Sequence, residues 1–596
     1  MRLKSTVLAL VSMSIMLSSS SAIAATQNSG ATPDSGQTKL STAFLAQTEN
    51  KLGTVVVNPY RLAPLTAVIL DGGKSISDVK VTVQGKTKDS VPISYNVSKA
   101  ALLTHGGVPV FGMYADFLNT VTVEYVLNGE KIKEDYYIRT AGIRVITQQN
   151  QIETMPTVTP VTVQKGFEDR LYFFNHIFFT PNNGQVKWAG PGGALEWDWE
   201  SQNWISDTQG EVRWYMDTEQ LHDPRNINKM GAMMGFRQDE DGKLIWVMSQ
   251  SYMKYDLMGR EIWNRPLSRK FSDASHAIWA TGKDTYLIRA AAADYLRRDG
   301  KHVHTVRDHI LEINQAGDVI DVWDLNSILD PYRDNLLKAL DQGAVCLNVD
   351  ADKKGETINP EELEDKDSPF GDVTGVGPGR NWAHVNSVYY DAKDDSIIIS
   401  SRHQGIMKIS RDKKVVWILA SPEGWTGELA SKVLTPVDAK GNPIKCENSK
   451  CEGDFDWSWT QHTVWGTPKG TITVFDNGDA RGMEQPALPE MKYSRAVEYK
   501  IDESKMTVQQ VWEYGKERGY DWYSPITSIT EYRKDRDTIF VYSATAGLYD
   551  PSGFVHPYLH EFKYGTTEPV VELKVQSNMK KMIGYQAMPI NLDNAF

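Results

Sequence analysis

Three histidines occur in comparable settings: Ser275-His276-Ala277, Ala383-His384-Val385-Asn386 and Gln461-His462-Thr463. Each opens a short stretch that reads as a β-strand. A neutral imidazole is a good nucleophile near pH 7, and three of them together can also ligate a metal. Arg402 follows His384 by 18 residues, at the end of the strand-like run from Ser396 to Arg402. Two antiparallel strands and a turn return a chain to its starting side, so His384 and Arg402 are expected at one end of one strand pair. Asn386 lies two residues beyond His384 and falls on the same side of its strand. A lone histidine at a strand end is ordinarily a hydrogen-bonded packing residue. Recurrence at equivalent positions is what makes these three candidates. His302-Val303-His304 with His309 lacks that recurrence, follows the polar turn Arg297-Arg298-Asp299-Gly300, and reads as a solvated hairpin.

The elements that would carry them repeat. A hydrophobic strand ending in Trp recurs at Trp214, Trp263, Trp323, Trp417 and Trp512, and Val570 to Val575 is a sixth copy without the Trp. Most copies follow an apolar strand such as Leu244–Met248, Ile397–Ile399 or Ile539–Tyr542. Spacings of 49, 60, 94 and 95 residues give a unit near fifty, with long insertions in two copies. Radial repetition of four short strands at that period is the signature of a β-propeller, and the copies favour six blades. The Trp residues are read as packing between blades rather than as a cofactor box. Innermost strands of a propeller converge on its axis, so His276, His384 and His462, more than 75 residues apart in sequence, are expected in one central pocket. The sixth copy has Thr527 and Ser528 where the others have His.

The 596 residues exceed one ordinary core, and a net charge of −12 disfavours nucleic acid and anionic membrane surfaces as partners. Residues 1–25 read as an export signal: Arg2 and Lys4, an apolar run from Val7 to Leu17, and Ala22-Ile23-Ala24 before a cleavage point near Ala25. Residues 26–42 read as a flexible lead-in, 43–150 as a small all-β sandwich with a hairpin turn at Asn128-Gly129, and 151–596 as the all-β propeller. Export implies an oxidising compartment, where Cys446 and Cys451, five apart, are better read as a disulfide than as free thiols. Cys346 reads as a buried thiol. Leu325 to Leu340 has helical character, Asp350 to Glu361 is a poor calcium loop, and Gly375 to Gly379 is a turn rather than a phosphate cradle.

Signal, small β-domain, propeller, the Cys pair before Gln461-His462-Thr463, and the His384-Val385-Asn386 and Ser401-Arg402 pattern together resemble the bacterial periplasmic arylsulfate sulfotransferases. The resemblance implies transfer of a sulfuryl group from one phenol to another without a nucleotide donor and without a cofactor or metal. It implies ping-pong kinetics, with His462 as the nucleophile that becomes sulfurylated and His384, His276 and Arg402 on the sulfuryl oxygens. Asn386 and Thr527 would be supporting substrate contacts, and the disulfide would flank the site. It also implies a periplasmic homodimer whose disulfide is made by the periplasmic oxidising machinery. A phenol is a tolerable leaving group, and His384 or His276 is available as its proton donor. Rival readings are a zinc or iron site on the three histidines, a non-catalytic binding propeller, and hydrolysis with water as acceptor.

Overall fold

The computed structural model describes residues 45–46, 52–146, 151–178, 200–223, 226, 229, 231–344, 351–364, 373–484, 493–580 and 582–596. The export signal, the lead-in, Cys346 and Asp350 lie outside the described residues.

Two four-stranded sheets build the N-terminal part. In spatial order one holds Leu45–Ala46, Val55–Val57, Ala67–Leu70 and Gly107–Val110, the other Ile93–Val97, Ile76–Val83, Leu118–Leu127 and Glu130–Arg139. Alternation along Ile76–Val83 buries Val79, Val81 and Val83 and leaves Lys80 in water, the pattern of a sheet with one face on a core. Asn128 and Gly129, with φ of 53° and 83°, supply the two positive values a type I′ turn requires.

Six further sheets of four or five strands follow among the described residues. From the inside outward, the second sheet holds Met233–Gln238, Leu244–Met248, Ser251–Tyr255 and Glu261–Pro266, and the fourth holds Val385–Asp391, Ser396–Ser401, Gly405–Ile409 and Val415–Leu419. The inner strands of the third, fifth and sixth are Ile278–Ala280, Thr463–Gly466 and Ile529–Arg533. Inner strands touch their neighbours in turn from the first sheet to the sixth. The first sheet's inner strand also meets the second strand of the sixth, closing a ring around a central hub, which is the propeller architecture. The two ends of this part are exchanged between sheets. Met582–Pro589 pairs with Leu171–Phe178 as the inner strand of the first sheet, and Thr157–Val163 pairs with Pro569–Gln576 as the outer strand of the sixth.

Each repeated Trp stands on the fourth strand of its sheet, and Val570 to Val575 occupies that place in the sixth. The indole N–H of Trp214, Trp323, Trp417 and Trp512 reaches the next sheet, on Leu257 O, Ser410 O, Glu503 Oε1 and Thr566 O. A buried indole removes roughly 200 Å² from water, on the order of 5 kcal/mol at about 25 cal/mol/Å². The Trp therefore fastens sheet to sheet. The expected helix from Leu325 to Leu340 is reduced to one turn, Leu325–Ile328, and a 3-10 turn at Leu337–Ala339. Pro331 lies between them, and a proline cannot continue a helix from its interior. His302 lies in the small hairpin Tyr295–Leu296 with His302–Val303 and is exposed, but His309 is a buried residue of the third sheet, beside Asp308.

Candidate active site at the propeller hub

The chain enters the inner strands through left-handed backbone: φ is 68° at His276, 48° at His384, 50° at Thr460, 57° at Thr527 and 86° at Ser528. That conformation costs an L-residue roughly 1–2 kcal/mol, and more for β-branched Thr, so the surrounding structure must hold it. Gly235 allows the approach at His276, because a β-carbon there would stand 2.8 Å from the His276 carbonyl oxygen. The strain clusters at the hub.

His276, His384 and His462 meet there, all buried. The His276 ring centroid is 5.4 Å from that of His384 and 6.1 Å from that of His462. Tyr585, on the C-terminal strand, stands 6.0 Å from His276 and 5.4 Å from His462.

The partners of Nδ1 fix which nitrogen of each ring carries the proton. At His462, Nδ1 lies 3.0 Å from Ser528 O, and a carbonyl only accepts, so Nδ1 is protonated and Nε2 keeps its lone pair. At His276, Nδ1 receives Arg289 Nη2 at 3.2 Å and Ser275 Oγ at 2.7 Å. A guanidinium only donates, so there the proton sits on Nε2. At His384, Asn381 Nδ2 donates to Nδ1 at 2.9 Å, with the same result. One ring presents an electron pair and two present N–H groups.

Electrostatics keep all three neutral. Burial lowers His276 far below the usual imidazole value, with Arg307, Arg289, His462 and Arg402 adding to it. Burial does the same to His384, helped by Arg307, His403, His276 and Arg402. His462 falls to about 3, because burial, with Arg402, outweighs the Ser528 carbonyl that favours the charged ring. Neutral rings of this kind are able to serve at neutral pH as hydrogen-bond donors or as a base, but not as cationic acids.

Arg402 is buried at the same level, its backbone N–H on His384 O at 3.0 Å. Its guanidinium spans sheets, donating to Thr460 O and Pro525 O, each at 3.0 Å, and Ala344 O at 3.2 Å, with Asp479 Oδ2 at 3.7 Å. Asn386 is the extra residue of a β-bulge between Val385 and Ser387. Its Nδ2 donates to Gln461 O at 2.9 Å, while its buried Oδ1 has no hydrogen-bond partner. The Thr527 hydroxyl is turned onto backbone, 2.6 Å from Ile526 O and 2.9 Å from Gly584 O. A small cavity of about 20 Å³ lies against His276, His462, Asn386 and Tyr585 and extends to Arg237 and Trp465. Cys446 and Cys451 are joined by a disulfide in a small hairpin of the fifth repeat.

Sequence reasoning missed Arg289, Arg307, His403, Tyr585 and the Ser528 carbonyl. Arg289 carried a signal, a charge inside the apolar run Thr285–Ala292, which on burial must find an anion. It pairs with Asp273 at 2.9 Å. Three guanidinium groups at the hub, Arg289, Arg307 and Arg402, suit an anion and oppose a divalent cation. Among the described residues, the group of three ligand side chains with atoms within 4.8 Å of one another is Asp391, Asp394 and Glu503. Lys408 Nζ already fills that group, at 2.8, 2.8 and 2.7 Å.

A family model described as Arylsulfotransferase (ASST) matches residues 157–586, and one described as Arylsulfotransferase Ig-like domain matches residues 54–141. Two curated relatives are each named Arylsulfate sulfotransferase AssT. That of Lelliottia amnigena is 50% identical over 569 residues, covering 92% of this chain and 94% of the relative. That of Escherichia coli O6:H1 (strain CFT073) is 50% identical over 564 residues, with the same coverage. Among solved structures, the β-propeller domain of Myceliophteria thermophila Cps50 covers 73% of this chain and 98% of its own, at 8% identity and a TM-score of 0.27.

Proposed function

The chain belongs to the arylsulfotransferase family, and from that premise we propose that it moves a sulfuryl group between phenols in two half-reactions through a sulfohistidine at His462. In the first, the Nε2 lone pair attacks sulfur in line, the N–S bond forms, and the S–O bond to the aryl group breaks with its electron pair leaving on the phenoxide. In the second, an acceptor phenol gives its proton to solvent as its oxygen attacks the same sulfur, and the N–S electron pair returns to Nε2. Ping-pong kinetics follow.

The observation that carries this reading is the opposed proton placement on the three rings. Ser528 O holds the His462 proton on Nδ1, and its dipole favours the positive charge that spreads over the imidazole as Nε2 is sulfurylated. His276 and His384 offer Nε2–H, and Arg402 a guanidinium, toward oxygens that gain charge in a loose transition state. A sulfate monoester carries one negative charge, so fixed donors and guanidinium groups suffice to bind it. Asn386 Oδ1, buried and open for a donor, fits the proposed substrate contact. The Thr527 hydroxyl supports the site through the backbone, by fixing the turn that presents Ser528 O.

A disulfide supports synthesis for an oxidising compartment, consistent with export of the chain. Among the described residues no helix is long and apolar enough to cross a membrane. The deciding experiment is incubation with a nitrophenyl sulfate, rapid quenching without acid, and peptide mapping. The added mass of SO₃ is expected on the peptide holding His462; its presence elsewhere would overturn the assignment.

A further inference from the structure

Beyond the imidazoles, five inner strands each contribute one residue to a second layer: Arg237, Trp279, Tyr389, Trp465 and Glu531. Trp279 and Trp465 stand three residues past His276 and His462, about 10 Å further along their strands, on the side away from Arg402. Their rings stack, with centroids 4.9 Å apart and planes at 21°. Tyr389 meets Trp279 edge-on at 4.9 Å. The Arg237 guanidinium carbon lies 4.4 Å and 4.7 Å from the two indole centroids, and its nitrogens donate to Glu531 at 2.6 and 3.2 Å. Gly466 admits the Tyr389 ring, which a β-carbon there would meet at 2.5 Å. Arg237 and Trp465 wall the same cavity as His276 and His462.

This layer is too far along the strands to touch a sulfuryl group on His462, yet it occupies the axis of the hub. We propose that the Arg237–Trp279–Trp465 stack, with Tyr389 and Glu531, is a stopper that keeps bulk water from reaching sulfurylated His462 through this end of the propeller. It thereby sets how the sulfuryl group divides between phenol and water. The inference rests on the His462 reading above. In the unwanted reaction a water oxygen attacks sulfur, the N–S pair returns to Nε2, and sulfate and two protons are released. Water far outnumbers any dissolved phenol, so transfer requires exclusion. Side chains of this size, braced by an ion pair and by cation–π contact, form a rigid closure.

Wild type, Arg237→Ala and Trp279→Ala are given nitrophenyl sulfate without acceptor, and inorganic sulfate and the label on His462 are followed in time. Both variants are expected to release sulfate about tenfold faster and to lose the label correspondingly sooner, while in Trp279→Ala the rate of transfer to added phenol stays within about twofold. Sulfate release and label lifetime equal to wild type in a folded variant overturn the stopper. No label on His462 in the wild type overturns the underlying reading instead. Should Arg237→Ala fail to fold with Glu531 left to Arg533 at 3.6 Å, the partly buried Trp279 provides the deciding variant.

Discussion

The Nδ1 proton of His462 is held by the Ser528 carbonyl at 3.0 Å, across the seam between the fifth and sixth sheets. Only Nε2 is then available to bond sulfur. The sulfuryl group is expected on Nε2 and not on Nδ1, which NMR of the isolated labelled peptide distinguishes. His462→Ala should lower transfer by about 10³-fold or more while the thermal transition moves little, since the residue lines a cavity rather than fills a core.

Arg402 binds three carbonyl oxygens from separate segments. A lysine ammonium cannot reproduce that fan of donors. Arg402→Lys is therefore expected to behave almost as Arg402→Ala, each lowering kcat by about 10²-fold or more. Steady-state kinetics with a nitrophenyl sulfate checks this, and recovery of activity in the lysine variant would argue for charge alone.

The pH profile should be displaced. With His462 pulled to about 3, the nucleophile is already neutral where a free imidazole would be half protonated, so the acid limb of donor turnover is expected well below pH 6. Stability has the opposite exposure to acid. His176, His403 and His462 are each depressed to about 3 by burial, so the unfolded chain binds protons that the folded chain refuses. Their contribution is complete above about pH 6.5 and is lost as pH falls toward 3, at about 1.4 kcal/mol per pH unit for each ring. Denaturant melts from pH 7 to pH 4 test the slope.

Cys446 and Cys451 close a ring too short for a large entropic effect, about 2 kcal/mol. Cys446→Ala, or reduction, is expected to lower the thermal midpoint by a few degrees and the folding yield, without creating a metal requirement. Calorimetry with and without reductant measures it.

The propeller was legible because its fastening residue repeats. A Trp at the end of each fourth strand announces the period, and the His at the head of three inner strands stands out against it. Arg289 was obscured because its partners, Asp273 and the His276 ring, come from a different strand that spacing alone does not align. The Ser528 carbonyl was invisible in principle, since any residue type supplies one and only the left-handed turn there aims it. Tyr585 belongs to no repeat unit by sequence order and joins the hub only through strand exchange. The single turn at Leu325–Ile328 shows the complementary failure, where apolar spacing suggested more helix than Pro331 permits.

That exchange ties activity to the integrity of the whole polypeptide. All three imidazoles and Arg402 are encoded well before residue 582, yet the ring that encloses them is completed by Met582–Pro589. A nascent or clipped molecule would hold these side chains and still lack a wall. Competence should thus arrive abruptly, with the docking of this strand.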